Sequence, residues 1–437
     1  MRIRSIPTLT IIGVVLVAGV TVLHYLCWYF SPFDFNHPIG PVWLSIIIFQ
    51  SILISTIVLC GSPAIKRYGN STFDWQTELS ALPIERLLCI SFVGIVIHLL
   101  AKAQFIHMTP RECITIIREL WINHDRSHDP VWIRISSILG HVGSQFAIPG
   151  AMLAGFQITY GRRSWRRWLI LVGFVGIIVV YAGSIMSRST VMSALTLIFL
   201  GITLGLSEAN TTFLSRVRRG GSVLATVLII AILFNLVVFN SKISCGPKNE
   251  AKYVNDNLVN TGLKAKIGNS KKIRSYNLRM APTLIYANHG LANFAIIHDT
   301  QRRGSPLLLG FVEDYLQRIN IGSVKEKKIR VHSRGGATLP GAAYHDYGYP
   351  GLVCTALVVG LSWSVGSALL SRGGRWGFVG LTFLAGTALT IALSMLFVAP
   401  ATMSFPFIIF AFLASILCII PKPNRKCQTR SRKGSQS

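Results

Sequence analysis

A single arginine, Arg188, stands between two apolar stretches, Trp168–Met186 and Thr190–Leu206, with almost no loop around it. A guanidinium carries a permanent charge, and holding one at the edge of a hydrocarbon layer is costly unless an anion requires it. Its planar fork suits phosphate oxygens, which it binds through paired hydrogen bonds. A second group of reactive types lies further along, where Arg330, His332, Arg334, His345 and Asp346 cluster on a glycine- and proline-rich run. That run, His332 to Gly351, leads into another apolar stretch. An imidazole or a carboxylate there can accept a proton from a weak nucleophile such as a hydroxyl. By position alone His289, His345 and Asp346 are the candidate bases, and nothing in the sequence ranks them. These residue types suit a membrane-embedded enzyme acting on an anionic, lipid-linked substrate at the outer surface.

The elements that must hold these groups are set by composition. Hydrophobic residues are 51% of the 437 and charged residues 14%, with a mean hydropathy of +0.52. That balance excludes an ordinary soluble domain. Runs long enough to cross a bilayer, about 20 residues each, fall near 7–29, 41–60, 84–106, 131–159, 168–186, 190–206, 222–240, 346–370, 376–398 and 401–420. The fourth is interrupted by Arg134, His141, Gln145 and Pro149. The first, after Arg2 and Arg4, resembles a signal sequence and is expected to remain as an uncleaved anchor. The expected fold is therefore an all-α polytopic membrane protein of about ten transmembrane helices, with one large external loop between spans seven and eight. Its parts are a seven-span block (1–240), a large periplasmic loop (241–345), a three-span block (346–420) and a basic disordered cytoplasmic tail (421–437).

Charge fixes the expected orientation. Lys66 and Arg67, then Arg162, Arg163, Arg166 and Arg167, then Arg216, Arg218 and Arg219, then Arg372 and Arg375, all fall in alternate short loops. The tail adds to the same side, whereas 30–40 and 398–401 carry no Lys or Arg. The positive-inside rule then places both termini in the cytoplasm, and a long loop such as 241–345 crosses regardless of its charge. About half of the basic residues fall on the inner side, so the net charge of +27 does not argue for nucleic acid. The basic tail is suited to lie near anionic membrane lipids. All eleven histidines fall outside or within spans, none in an inner loop. Cys60, Cys89, Cys354 and Cys418 read as small packing residues of spans, while Cys113 and Cys245 are both external and can pair if that compartment is oxidising.

Within the external segment, 246–280 has little periodicity. Beyond Pro282, Leu284, Ile285, Leu291, Phe294 and Ile297 punctuate a polar run, and Leu308, Phe311, Val312, Tyr315, Leu316 and Ile319 recur at helical spacing, which predicts an amphipathic surface helix. The glycines and prolines of 332–351 predict an irregular backbone at membrane depth, lining a cavity.

Three features together resemble the Wzy-type O-antigen and oligosaccharide repeat-unit polymerases. They are Arg188 within Tyr181-Ala-Gly-Ser-Ile-Met-Ser-Arg-Ser-Thr, the external run Pro282–Asp299, and Pro340 followed by Tyr347-Gly-Tyr-Pro-Gly351. The likeness covers about 168–400; the earlier spans add only a matching span count. Such proteins have been described by an Arg and a Gly with ten residues between them, and Arg279…Gly290 and Arg330…Gly341 have that spacing. Here both lie in one loop, unlike the two loops of the family description. The resemblance implies a helical bundle, GT-C-like, in the bacterial inner membrane. It implies transfer of a growing glycan from undecaprenyl pyrophosphate onto the next lipid-linked repeat unit at the periplasmic face. A chain-length regulator and a flippase are the implied protein partners. On that reading Arg188, Arg279, Arg330 and Arg334 bind pyrophosphate, stabilising charge that develops on the departing phosphates. No cofactor is expected, because no Asp-x-Asp pair lies on the outer face. The one rival metal site is His124-Asp125-Arg126-Ser127-His128-Asp129, where Arg126 and Pro130 argue against coordination.

Two other functions remain open. An O-antigen ligase would use the same donor, though position 343, where its pattern wants Gly, is Ala. A transporter or flippase of lipid-linked sugar suits the span count and the Gly/Pro breaks at Gly140, Gly143, Pro149 and Gly150, but the chain shows no internal repeat.

Overall fold

The computed structural model describes residues 8–31, 33–35, 37–68, 79–107, 130–161, 164–185, 188–206, 213–244, 263–265, 281–300 and 338–396. These are almost entirely helical. In chain order they form α1 (Thr8–Tyr29), β1 (Phe33–Phe35), α2 (Gly40–Tyr68), α3 (Glu85–His107), α4 (Val131–Gln145), α5 (Ala147–Tyr160) and α6 (Trp165–Ile185). Then follow α7 (Arg188–Leu206), α8 (Phe213–Ser244), β2 (Leu263–Ala265), α9 (Ala281–Thr300), α10 (Leu339–Arg372) and α11 (Gly374–Leu396). Among the described residues, five stretches are long and apolar enough to cross a membrane: Thr8–Tyr29, Gly40–Gly61, Glu85–Ala103, Trp165–Ser184 and Leu339–Arg372. Thr190–Leu206 and Trp376–Ala392 are apolar but shorter. Leu59, Phe92, Leu100, Ile138 and Val358 face outward and are more than half exposed. A bundle whose outer face is this apolar is solvated by lipid.

Small residues set the helix contacts, as expected where lipid removes the hydrophobic drive between helices. A Cβ added at Gly94 would meet the backbone of Gly143, and one at Gly140 would meet that of His98, each well inside contact distance. The antiparallel pair α3 and α4 therefore touches backbone to backbone. Gly360 of α10 abuts Thr56 of α2 and Gly61 abuts Ser364, so these two helices run parallel. Gly201 and Gly205 of α7 meet Met152 and Thr159 of α5, again in parallel. Trp363, 1% exposed, fills the space over Gly13 and donates its indole N–H to Leu9 O at 3.1 Å.

Several expectations change in detail. The fourth span, expected as one run over 131–159, is two helices meeting at Phe146. Pro149 has no N–H to offer the Gln145 carbonyl, so the α-helical ladder breaks one turn before it. Phe146 N instead bonds Gly143 O at 3.2 Å. The span expected at 346–370 begins earlier, at Leu339, and residues 339–347 are helical where an irregular backbone was expected. Thr338 explains the start: its hydroxyl accepts from Gly341 N at 3.2 Å, and Pro340 sits in the first turn, where its missing N–H costs nothing. Among the described residues of that run, the irregularity falls at Gly348, at φ 64° and ψ −151°, ahead of Pro350. Cys60, Cys89 and Cys354 are exposed on the bundle's outer face and not packed between helices. Cys113, Cys245, Cys418, the tenth span, the 308–319 helix and His124–Asp129 lie outside the described residues.

The polar run of 282–299 is the helix α9, which buries Leu291, Phe294 and Ile297. Leu291 and Phe294 join a small core with Phe35, Val42 and Ile46 at the end of the bundle where α1 and α2 meet. β1 pairs antiparallel with β2, Asp34 opposite Lys264, which ties the α1–α2 connection to the long hydrophilic segment. Asn288 Nδ2 donates to Cys27 O at 3.3 Å, and His37 and Asp299 pair at 2.6 Å.

At the other end, arginines close the C-terminus of α5. Arg167 donates to Gln157 O at 2.8 Å and Arg219 donates to Gly161 O. Cations on the last carbonyls of a helix offset the negative end of its dipole. Arg166 and Glu85 pair at 3.3 Å, and Gln157 donates to Leu79 O and Leu82 O at 3.2 and 3.0 Å.

Candidate functional site

The apolar stretches of α3, α4 and α6 each carry two polar residues at helical spacing: His98 and Lys102, His141 and Gln145, Tyr181 and Ser184. Residues three or four apart share a helix face. Packing turns the three faces toward one another and makes a buried polar network inside the bundle. Gln145 Nε2 donates to the Tyr181 oxygen at 3.0 Å, and the Tyr181 hydroxyl is hydrogen-bonded to His141 Nδ1. Ser184 Oγ donates to Tyr181 O at 2.7 Å, so its oxygen is left to accept from His98 Nε2 at 2.9 Å. Lys102 Nζ donates to Ser184 O at 3.1 Å. The rings of His98 and His141 stand 5.1 and 5.5 Å from that of Tyr181. Lys102 is 1% exposed and Gln145 is fully buried. His98 Nδ1 is shut from solvent with no hydrogen-bond partner. Ionisable groups inside a membrane bundle are expensive to keep and mark pathways or sites.

In the sequence this network lies close to Arg188. Arg188 is the first residue of α7 and follows Ser184 by four positions. Its side chain lies outside the described residues. Lys102 and Ser184 are the residues of the network nearest the ends of α3 and α6, so the network continues into the bundle from the α6–α7 connection.

The second group lies on α10. His345 Nδ1 donates to Asp346 Oδ1 at 2.8 Å, and each side chain is 3% exposed. With Nδ1 committed to the carboxylate, Nε2 is the nitrogen left to accept a proton, the arrangement that fixes tautomer in histidine bases. Its neighbour Tyr344 packs on Phe294 and stacks on His298 of α9, ring centroids 5.9 and 5.0 Å apart. His289 is on α9, one residue from Gly290, which abuts Thr338 at the start of α10. The side chain of His289 lies outside the described residues, as do Arg279, Arg330 and Arg334 altogether.

Of the expected site residues, then, the structure joins His345 to Asp346 and sets the helix of His289 against theirs. The network of Lys102, His98, His141, Gln145, Tyr181 and Ser184 was missed as a unit. His98 was noted only for its side of the membrane, His141 also as an interruption of the fourth span, and Gln145 only as such an interruption. The legible signal was the pairing of polar residues at three- and four-residue spacing on three separate apolar spans.

Compared with known proteins, the chain matches no family model, no curated protein and no solved structure.

Proposed function

We propose that this protein is a membrane-embedded glycosyltransferase that lengthens a lipid-linked oligosaccharide at the outer face of the bacterial inner membrane. Its donor is a growing glycan on undecaprenyl pyrophosphate and its acceptor is the next lipid-linked repeat unit. The observation that supports this reading is the buried network of Lys102, His98, His141 and Tyr181, whose Ser184 precedes Arg188 by four positions in the sequence. Fixed cations and N–H and O–H donors in a water-poor site are what a departing diphosphate needs. In the reaction the acceptor hydroxyl oxygen forms a bond to the anomeric carbon of the donor. The bond from that carbon to the pyrophosphate oxygen breaks, and its electron pair leaves with the diphosphate. The hydroxyl proton passes to a base, for which the His345–Asp346 pair is the assigned candidate. Arg279, Arg330 and Arg334, with Arg188, are the proposed phosphate ligands.

The reading also needs ten spans, cytoplasmic termini and residues 241–345 outside. The parallel course of α2 and α10 supports it, because an odd number of crossings must separate them, and α3, α4–α5, α6, α7 and α8 provide five. Pairing of β2 with β1 and packing of α9 on α1 and α2 put parts of the 241–345 segment beside the α1–α2 loop. The arginine-rich connections gather at the opposite end, as the positive-inside rule requires.

A gel of surface polysaccharide from cells tests the proposal. Deleting the gene should leave single repeat units on the carrier core, and wild-type protein should restore the ladder. Arg188→Lys keeps charge but loses the fork, and should shorten or abolish the ladder at normal protein level. A ladder of wild-type length from folded Arg188→Ala protein contradicts the role given to Arg188. A bare core in the deletion strain would indicate a ligase.

One other reading has an observation of its own. The break between α4 and α5, beside buried Gln145, and the kink at Gly348 are features of transporters that bind substrate at interrupted helices. Uptake of lipid-linked sugar by protein-containing liposomes without lengthening would favour that reading.

A further inference from the structure

At the end of the bundle where α1, α2, α9 and α10 meet, half-buried aromatic rings border the small core of Phe35, Val42, Ile46 and Leu291. Trp28 and Trp43 lie 5.5 Å apart between centroids, and His24 meets Trp43 edge-on at 5.8 Å. Across the same core Tyr344 stacks on His298 at 5.0 Å with 12° between the planes. Three ring nitrogens of this array are shut from solvent with no hydrogen-bond partner: His24 Nε2, Trp43 Nε1 and His298 Nε2.

Membrane anchoring does not account for them. Aromatic residues that anchor a bundle keep the polar tip wet at the interface, as the exposed Tyr25 and Tyr29, at 44% and 59%, do here. Trp43 is different, since its indole N–H is enclosed and unspent. Core packing does not account for them either. Trp363, the other enclosed indole of this bundle considered above, gives its N–H to Leu9 O. Buried polar atoms are normally satisfied, so three unsatisfied ones in one array point to a ligand that completes them.

We propose that this array is a carbohydrate subsite, in which a pyranose ring of the acceptor glycan lies on Trp43 and Tyr344 and its hydroxyls bond His24, His298 and the Trp43 N–H. A sugar has both properties the array asks for: an apolar C–H face that packs on aromatic rings, and hydroxyls that donate and accept. Trp43, Tyr344 and His298 are half-buried whereas His24 is 1% exposed, so the ligand enters from the side of Trp43 and Tyr344. Tyr344 directly precedes the His345–Asp346 pair, which puts the subsite and the candidate base on the same helical turn of α10. This inference rests on the reading of the protein as a glycan-transferring enzyme.

The test uses full-length protein in lipid nanodiscs and oligosaccharide released by mild acid from the expressing strain's surface polysaccharide. Calorimetric titration should show binding to wild type and to Arg188→Ala. Trp43→Phe keeps the ring and removes the N–H, and His298→Phe keeps the stack and removes the nitrogen. Each should weaken binding by roughly five- to tenfold, with unfolding temperature unchanged. Unchanged affinity in both variants overturns the subsite, as does failure of wild type to bind. If wild type binds, the variants weaken it and no lengthening of lipid-linked units occurs, the subsite stands and the transferase reading falls. If lengthening proceeds and Trp43→Phe alters neither affinity nor the KM for acceptor, the reverse holds.

Discussion

The Tyr181 hydroxyl is the hinge of the buried network, because it takes the Gln145 amide and bonds His141 at once. A single interhelical hydrogen bond in a membrane protein contributes about 0.6 kcal/mol on average. Removing an oxygen that serves two buried side chains costs more, since their desolvation is then uncompensated. Tyr181→Phe should therefore destabilise the protein by about 1–3 kcal/mol, read as a lower midpoint of thermal unfolding in detergent. An unchanged midpoint would mean that the network does not bind α4 to α6. Tyr181 was legible only as part of a motif around Arg188. Neither its partners nor Lys102 could be found by looking at one span at a time, because each span contributes only two residues to the network. Their meaning comes from three spans meeting.

At the scale of elements, the network exists because α3 and α4 approach backbone to backbone at Gly94, Gly140 and Gly143. That contact sets His98 and Lys102 beside His141 and Gln145. Gly143→Leu would force the helices apart by the size of a side chain. It should lower unfolding stability by more than the ~1–3 kcal/mol typical of an overpacked core and reduce glycan lengthening together with it. Wild-type stability and activity would show the contact to be dispensable. In the sequence Gly140 and Gly143 read as possible helix breaks. Glycine serves both breaks and close contacts, and only a partner helix distinguishes the two. Pro149 was legible as an interruption, since a missing N–H acts locally. The first turns of α10 were not. There the glycines and prolines of 335–350 outweighed the Thr338 cap and the favourable place of Pro340, and among the described residues of the run Gly348 alone has the irregular backbone expected.

At the scale of the molecule, the bundle is polarised. Arginines cap helix ends on one side, and on the other the α1–α2 loop, β2 and α9 gather into a second, aromatic-edged core. Hydropathy and loop charge made the helical membrane architecture legible, because lipid solvation and the positive-inside rule act on short windows of sequence. Docking of α9 and β2 onto the first two spans was not legible, because it depends on contacts more than two hundred positions apart in the chain. Cationic and imidazole groups at the outer end are proposed to drive glycan transfer from a lipid diphosphate. The most direct measurement is chain lengthening by purified protein in vesicles, with lipid-linked repeat units supplied to the leaflet that faces residues 241–345. Wild type should produce a ladder of lengthened glycans and release free lipid diphosphate, while Arg188→Ala and Lys102→Met, folded to the same degree, should slow lengthening by about a hundredfold or more. Transport of the intact lipid without lengthening, or a full ladder from both variants, would contradict the account.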